Sequence, residues 1–204
     1  MKYLFIGAHP DDIEYSCGGT IQRLLHEGHE VYMVVMTYGS ENLTDYERER
    51  ITEQLNASRK AKVNDLIMLD YTDGMITVTR KAVGEISDIL ETYQPDFVYT
   101  HYPNDSHQDH RAVSAIVKSA TRRKYSLIYF DSYSSIDFKP NLYVDITHYA
   151  LSKKKIIGCF TSQIEKFKKR NIGFTRKSLL TNELNGYECN SDYAEGFAID
   201  TYMI

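Results

Sequence analysis

Apolar residues fall into short blocks along the chain, separated by longer stretches of helical spacing. Residues 2–7 (KYLFIG) read as a buried strand that ends in a glycine. Gly18, Gly19 and Thr20 then open a helix with Ile21, Leu24 and Leu25 on one face, and Gly28 closes it. Residues 30–37 (EVYMVVMT), 65–70 (DLIMLD), 96–101 (DFVYTH) and 126–131 predict further strands, with helices over 45–62, 79–93 and 108–122 between them. Such alternation implies a parallel sheet with right-handed crossovers. After residue 140 the pattern changes to a short strand (142–146), helical segments and a last strand over 195–201. The expectation is a single α/β domain over residues 1–204: a mostly parallel sheet, helices on both faces, and a C-terminal elaboration. Open sheets bind ligands beyond the carboxyl ends of their strands, which places segments 9–12 and 101–110 on one rim.

Composition removes several function classes. A formal net charge of -4 offers no basic excess for a nucleic-acid partner. The apolar run from Tyr3 to Ile6 is too short for a membrane span or a signal-peptide core. The 3 cysteines, Cys17, Cys159 and Cys189, have no metal-knuckle or redox spacing and fit a reducing compartment, so the expectation is a cytoplasmic protein.

Two constellations carry chemistry. The first, His9-Pro10-Asp11-Asp12, follows the first strand, where His9 and Asp12 can aim at one divalent metal and Asp11 at a water beside it. The competing reading is a helix N-cap, with Asp11 or Asp12 satisfying free backbone N–H groups. The second, His107-Gln108-Asp109-His110, opens a helix at the same rim. His110 makes a third ligand, and three protein ligands leave a position open for water. His107 is then free for acid–base work, and Asp109 for orienting a histidine from behind. A nucleotide-binding module without hydrolysis would instead carry Gly-x-Gly-x-x-Gly after the first strand, where this chain has Gly7-Ala8-His9-Pro10. A metal-binding scaffold without catalysis would lack a base, yet Asp11 is present.

These motifs, with Gly18-Gly19-Thr20, resemble those of the PIG-L/LmbE-like zinc N-deacetylases. The likeness continues in order through Arg50-x-x-Glu53, Asp73-Gly74, Val144-Asp145-Ile146-Thr147, Ser162-Gln163 and Tyr193-Ala194-Glu195-Gly196-Phe197. The resemblance implies a Rossmann-like fold and one zinc ion (Zn2+, with Fe2+ as another divalent metal) on His9, Asp12 and His110. It implies Asp11 as general base, His107 as the group that stabilises or protonates the tetrahedral intermediate, and Asp109 as a histidine's support. Arg50 would contact sugar hydroxyls. The implied reaction releases acetate from an N-acetylated amino sugar, and relatives allow a homo-oligomer.

Read without the resemblance, Arg50 is a helix-surface arginine paired with Glu47 or Glu53. Two positions depart from the family pattern: Phe160 stands where relatives often have a histidine, and Ile13 where an acid is usual, with Glu14 one place later. Phe160 is expected to wall a pocket for an apolar aglycone, and a nearby carboxylate such as Asp109 to favour a charged His107. Lys153–Lys155 and Lys166–Arg170 are expected to be solvated helix faces. The loops at 38–47 and 71–78, with 131–140, are expected to shape the aglycone pocket.

Overall fold

The computed structural model describes residues 1–39 and 45–203. Residues 40–44 of the loop expected at 38–47 to shape a pocket therefore lie outside the described residues. The chain runs β1 (Lys2–Gly7), α1 (Asp12–His26), β2 (Glu30–Thr37), α2 (Asp45–Ala61), β3 (Asp65–Tyr71), α3 (Arg80–Tyr93), β4 (Phe97–His101), α4 (Gln108–Thr121) and β5 (Ser126–Phe130). It continues through β6 (Leu142–Asp145), a 3-10 turn (Thr147–Tyr149), α5 (Ala150–Ile157), α6 (Thr161–Lys168), α7 (Phe174–Cys189) and β7 (Ala194–Thr201).

The seven strands form one sheet in the order β3-β2-β1-β4-β5-β7-β6. The first five are parallel, and β7 runs antiparallel between β5 and β6. Period-2 alternation divides the central strand between two cores. Tyr3 and Phe5 face a layer holding Ile13, Cys17 and Ile21 of α1, Ala57 and Ala61 of α2, and Ile156 of α5. Leu4 and Ile6 face Ala82, Ile86 and Leu90 of α3 with Val113, Ile116 and Val117 of α4. Helices thus cover both faces, which explains why the strands read as continuous apolar runs.

The start of α1 differs from expectation. The helix begins at Asp12, and Gly18 and Gly19 lie in its interior. Glycines weaken a helix, which is why they suggested a boundary. Their use is close approach: a Cβ on Gly19 would meet Ile146 Cδ1 at 2.6 Å, and one on Gly18 would meet Lys153 Cγ at 3.1 Å.

Lys153 corrects a second expectation. Lys154 and Lys155 are exposed, but Lys153 is fully buried. Its Nζ donates to Glu195 Oε1 at 2.6 Å and to Asn182 Oδ1 at 2.9 Å. The Glu195 carboxylate also accepts the Gly19 and Thr20 N–H groups at 2.9 and 2.7 Å. One charge cluster therefore ties α1, α5, α7 and β7 together.

Candidate active site

The connections leaving β1 and β4 depart in opposite directions across the sheet, and the crevice between them is where such folds collect ligands. The β1–α1 connection carries His9, Pro10 and Asp11. The β4–α4 connection carries Asp105 and His107, and α4 opens with Asp109 and His110. The cleft between them is also lined by Arg50, Asp73, Tyr133, Gln163, Lys166 and Arg170.

Asp11 occupies the N-cap position of α1 in a left-handed conformation (φ 96°), and its side chain makes no capping hydrogen bond. This conformation costs a non-glycine residue about 1–3 kcal/mol and recurs at active sites. The carboxylate is buried, and Arg50 Nη2 stands 3.6 Å from its Oδ2. Burial pushes the Asp11 carboxyl up to about 7, against the opposing pull of Arg50. The capping alternative for Asp11 is thereby removed.

Asp12 stands between two histidines. Its Oδ2 lies 3.3 Å from His9 Nδ1 and its Oδ1 lies 3.4 Å from His110 Nε2. The other nitrogen of each ring is backed by carboxylates. His9 Nε2 meets Asp109 Oδ2 and Asp73 Oδ1, each at 3.0 Å, and His110 Nδ1 meets Asp105 Oδ2 at 3.1 Å. Burial opposes charge on His110, but Asp12 and Asp105 prevail and hold it up at about 9. Burial also opposes the Asp12 charge, yet His110 and His101 keep its carboxyl well below the usual range.

Three sets of donors come within 4.8 Å of one another: His9, His107 and His110; Asp12, His101 and His110; and His9, Asp73 and Asp109. The expected trio of His9, Asp12 and His110 is not one of these sets. Asp12 instead joins the two rings pairwise through its separate oxygens. Imidazole nitrogens and a carboxylate, each ring backed by a further carboxylate, fit a zinc-type divalent ion. Asp11, Asp12, Asp73, Asp105 and Asp109 crowd around these histidines, an acidic concentration that a divalent cation would balance.

His107 caps α4 and is half-buried, its Nδ1 accepting from the Asp109 N–H at 3.3 Å. The neutral tautomer then carries its proton on Nε2. Burial and the charges on His9 and His110 lower its pKa, overriding Asp12 and Asp109. This corrects the expectation of a charged His107: the carboxylate of Asp109 is spent on His9 and on the Gly74 and Ile76 N–H groups at 2.7 and 3.1 Å.

Arg50 is buried, only 4% exposed, which overturns its reading as a surface residue. Its guanidinium donates to the Pro10 carbonyl and faces Asp11. Glu53 has a different partner, accepting from Thr161 Oγ1 and from the Ser162 N–H and Oγ at 2.7–2.8 Å. It thus fixes the start of α6, whose first and second turns bring Gln163 and Lys166 to the cleft. Lys166 and Arg170 are exposed, as expected of a solvated face, but they line the mouth. Phe160 is fully buried in the core under α1 and α2, so it walls no pocket.

Several contributors carried no assigned role in the sequence. His101 is fully buried; its Nε2 accepts the Ala8 N–H at 3.0 Å and its ring stacks on His110 at 3.9 Å. Burial pushes its pKa down to about 4. Asp105 accepts the His107 N–H at 2.8 Å and Ser132 Oγ at 2.6 Å besides backing His110. Its position two residues before His107 was the available signal. Gln54 accepts the Asp11 N–H at 3.3 Å and donates to Glu14 Oε1 at 2.6 Å, a contact that helical spacing from Arg50 does not reveal.

The chain is similar to known proteins over most of its length. The family described as PIG-L, GlcNAc-PI de-N-acetylase, matches residues 4–121. The chain is 31% identical over 150 residues to the uncharacterized deacetylase YaiS of Escherichia coli K12, covering 70% of this chain and 80% of that protein. It is 28% identical over 186 residues to the diacetylchitobiose deacetylase of Thermococcus kodakarensis, covering 79% and 70%. The N,N'-diacetylchitobiose deacetylase structure from Pyrococcus horikoshii superposes with a TM-score of 0.82 at 26% identity, covering 97% of this chain and 83% of that one. With the family's matched region holding both rim motifs, the chain belongs to the PIG-L deacetylase family.

Proposed function

We propose that this protein is a metal-dependent amide hydrolase that removes the acetyl group from an N-acetylated sugar, zinc being the metal its donors suit. The observation that carries the reading is Asp11: a buried carboxylate in a strained turn, free of capping duty, beside the His9–Asp12–His110 cluster. His9, Asp12 and His110 would hold the ion, with Asp109 and Asp105 fixing the two rings. A bound divalent cation supplies Lewis acidity and lowers the pKa of water to about 7.

The chain's own groups do the rest. Asp11 accepts a proton from the attacking water as its oxygen bonds to the acetamide carbon. His107 Nε2–H donates to the oxyanion that develops on the carbonyl oxygen, a role that suits a neutral imidazole. Asp11 then returns the proton to the amide nitrogen as the C–N bond breaks, leaving acetate and a free amine. Burial of Asp11 supports both halves, since a carboxyl near the working pH can take and give a proton. Arg50 holds the Pro10 carbonyl and the Asp11 carboxylate in place.

The disaccharide deacetylases among the similar proteins support an amino-sugar substrate. No helix among the described residues is long and apolar enough to cross a membrane. The three cysteines are unpaired, which supports a reducing compartment such as the cytoplasm. The test is acetate release from a panel of N-acetyl sugars by metal-loaded and chelator-stripped protein. Activity that disappears on stripping and returns with zinc is expected. Absence of acetate from every N-acetyl sugar with metal bound would overturn the reading.

A further inference from the structure

The β4–α4 connection is joined to the loop that follows β5. Asp105 pairs with Ser135 in an isolated antiparallel bridge. On either side, the Ser106 N–H donates to the Ser134 carbonyl at 3.1 Å and the Ile136 N–H to the Asn104 carbonyl at 2.9 Å. The serines of this loop turn toward the Asp105 carboxylate, which is buried, as is Ser132. Asp105 Oδ1 accepts the His107 N–H at 2.8 Å. Its Oδ2 accepts Ser132 Oγ at 2.6 Å and stands 3.1 Å from His110 Nδ1, with Ser135 Oγ at a longer 3.4 Å. The Ser132 contact is short, as hydroxyl bonds to a carboxylate are.

The direction of the Ser132 hydroxyl proton follows from its neighbours. Ser132 Oγ accepts the Ser134 N–H at 3.2 Å, and the Ser134 and Ser135 hydroxyls lie 3.0 and 3.3 Å away. The Ser132 N–H donates to Ser135 Oγ at 2.9 Å, which holds the backbone of the loop. A hydroxyl carries one proton, and an ionised carboxylate can only accept, so that proton belongs to Asp105.

The consequence falls on His110. A carboxylate pinned on one side by Ser132 keeps His110 Nδ1 as a donor and leaves Nε2, 3.4 Å from Asp12 Oδ1, as the ligand nitrogen. The ring has a rival partner, Ser134 Oγ, 3.3 Å from Nδ1. A hydroxyl can give a proton to Nδ1 or take one from it, so Ser134 alone would leave the tautomer open. The carboxylate fixes the tautomer, and Ser132 fixes the carboxylate. We propose that Ser132 is a positioning residue of the metal centre, which sets the tautomer and angle of His110 through Asp105. It does not line the cleft itself. The role rests on the reading of His110 as a metal ligand.

The test is zinc affinity, read by competition with a chromophoric chelator, in a double-mutant cycle of Ser132 and Asp105. Removing the carboxylate partner of a ligating histidine typically costs about 10–100-fold in metal affinity, which is the expectation for Asp105→Asn. Ser132→Ala should weaken zinc by about three- to thirtyfold, a part of that loss. In the Asp105→Asn background the same change should cost less than about twofold, because the group it acts through is gone. Ser132→Thr keeps the hydroxyl and should bind within about threefold of wild type. Ser178→Ala removes another buried hydroxyl, which donates to the Tyr15 carbonyl at 2.8 Å, and should leave zinc affinity unchanged. In the metal-free protein, the His110 Nδ1 proton should give an exchange-protected NMR signal in wild type and Ser132→Thr, and lose it in Ser132→Ala. If Ser132→Ala fails to fold, Ser132→Cys, whose thiol is a weak donor, takes its place in the cycle. Wild-type affinity in Ser132→Ala, an equal loss with and without the Asp105 carboxylate, or an equal loss in Ser178→Ala would each overturn the proposal. Unchanged zinc affinity in both His110→Ala and Asp105→Asn would sink the metal reading instead, and the Nδ1 signal would then decide whether Ser132 orients His110.

Discussion

Replacing Lys153 with methionine tests the buried charge cluster. The change keeps an unbranched side chain one atom shorter and removes its charge. The cost follows from what is left behind. Glu195, 1% exposed, loses the ammonium at 2.6 Å, and Asn182 loses its donor at 2.9 Å. Removing one member of a buried pair typically costs about 3–5 kcal/mol. Glu195 keeps the Gly19 and Thr20 N–H groups, which places the expected loss near the lower end, about 3 kcal/mol. At about 2–4 °C per kcal/mol for a chain of this size, the melting temperature should fall by about 6–12 °C. The double variant Lys153→Met with Glu195→Gln removes both charges and keeps an acceptor for one of the two amides, the other N–H being left facing the glutamine NH2. It should recover about half of the loss, to about 1.5 kcal/mol below wild type. Urea unfolding of the four proteins closes the cycle. The reasoning fails if Lys153→Met costs less than about 1 kcal/mol, or if the double variant is as unstable as the single one, because either result denies the stranded charge.

Other expectations concern the site. Asp11→Asn should keep its metal by elemental analysis while losing about 10²–10⁴-fold in turnover, and near-normal turnover would place the base elsewhere. His110→Ala should lose most of its metal; full retention would remove His110 from the ligands. Arg50→Ala should cost about 1–3 kcal/mol in denaturant melts as well as activity, since it strands a buried carbonyl and carboxylate; a loss within about 0.5 kcal/mol would restore the surface reading. Burial raises the Asp131 carboxyl to about 6, so the folded state holds that proton after the unfolded chain has released it. Its contribution to stability should fall as pH rises from about 4 to about 6 and stay flat above. Asp131→Asn should remove that decline from a pH series of melts, and an unchanged slope would assign it to another group.

The sheet was legible because its strands are buried on both faces and stand out as apolar runs, from KYLFIG to DFVYTH. The rim motifs were legible because both sides of the crevice are short connections, where a few neighbouring residues carry most of the polar side chains. What escaped is whatever depends on contacts between distant segments. Lys153 looks like its exposed neighbours in sequence, and only the return of β7 brings Glu195 to it. Phe160 occupies a position where relatives often place a histidine, but the fold sinks it beneath α1 and α2. Arg50 shows helical spacing to Glu53, yet its partner is the β1–α1 turn. The charge of His107 failed for a related reason: Asp109 is near in sequence, but its carboxylate turns toward His9 and the loop after β3.

The glycine at position 19 works as a spacer of zero length for the site. It lies seven residues along α1 from Asp12, about 10 Å at 1.5 Å per residue, on a helix stiff enough to move as a rod. A methyl group there would meet Ile146 at 2.6 Å, so the rod would have to retreat by about 1 Å to regain van der Waals distance. Asp12 rides on the end of that rod, while His110 is mounted on α4 across the sheet. A misplacement of about 1 Å is enough to cost an enzyme about a hundredfold in rate. The focus of the cluster is thus set partly at the far side of the helix, by the thickness of an absent side chain.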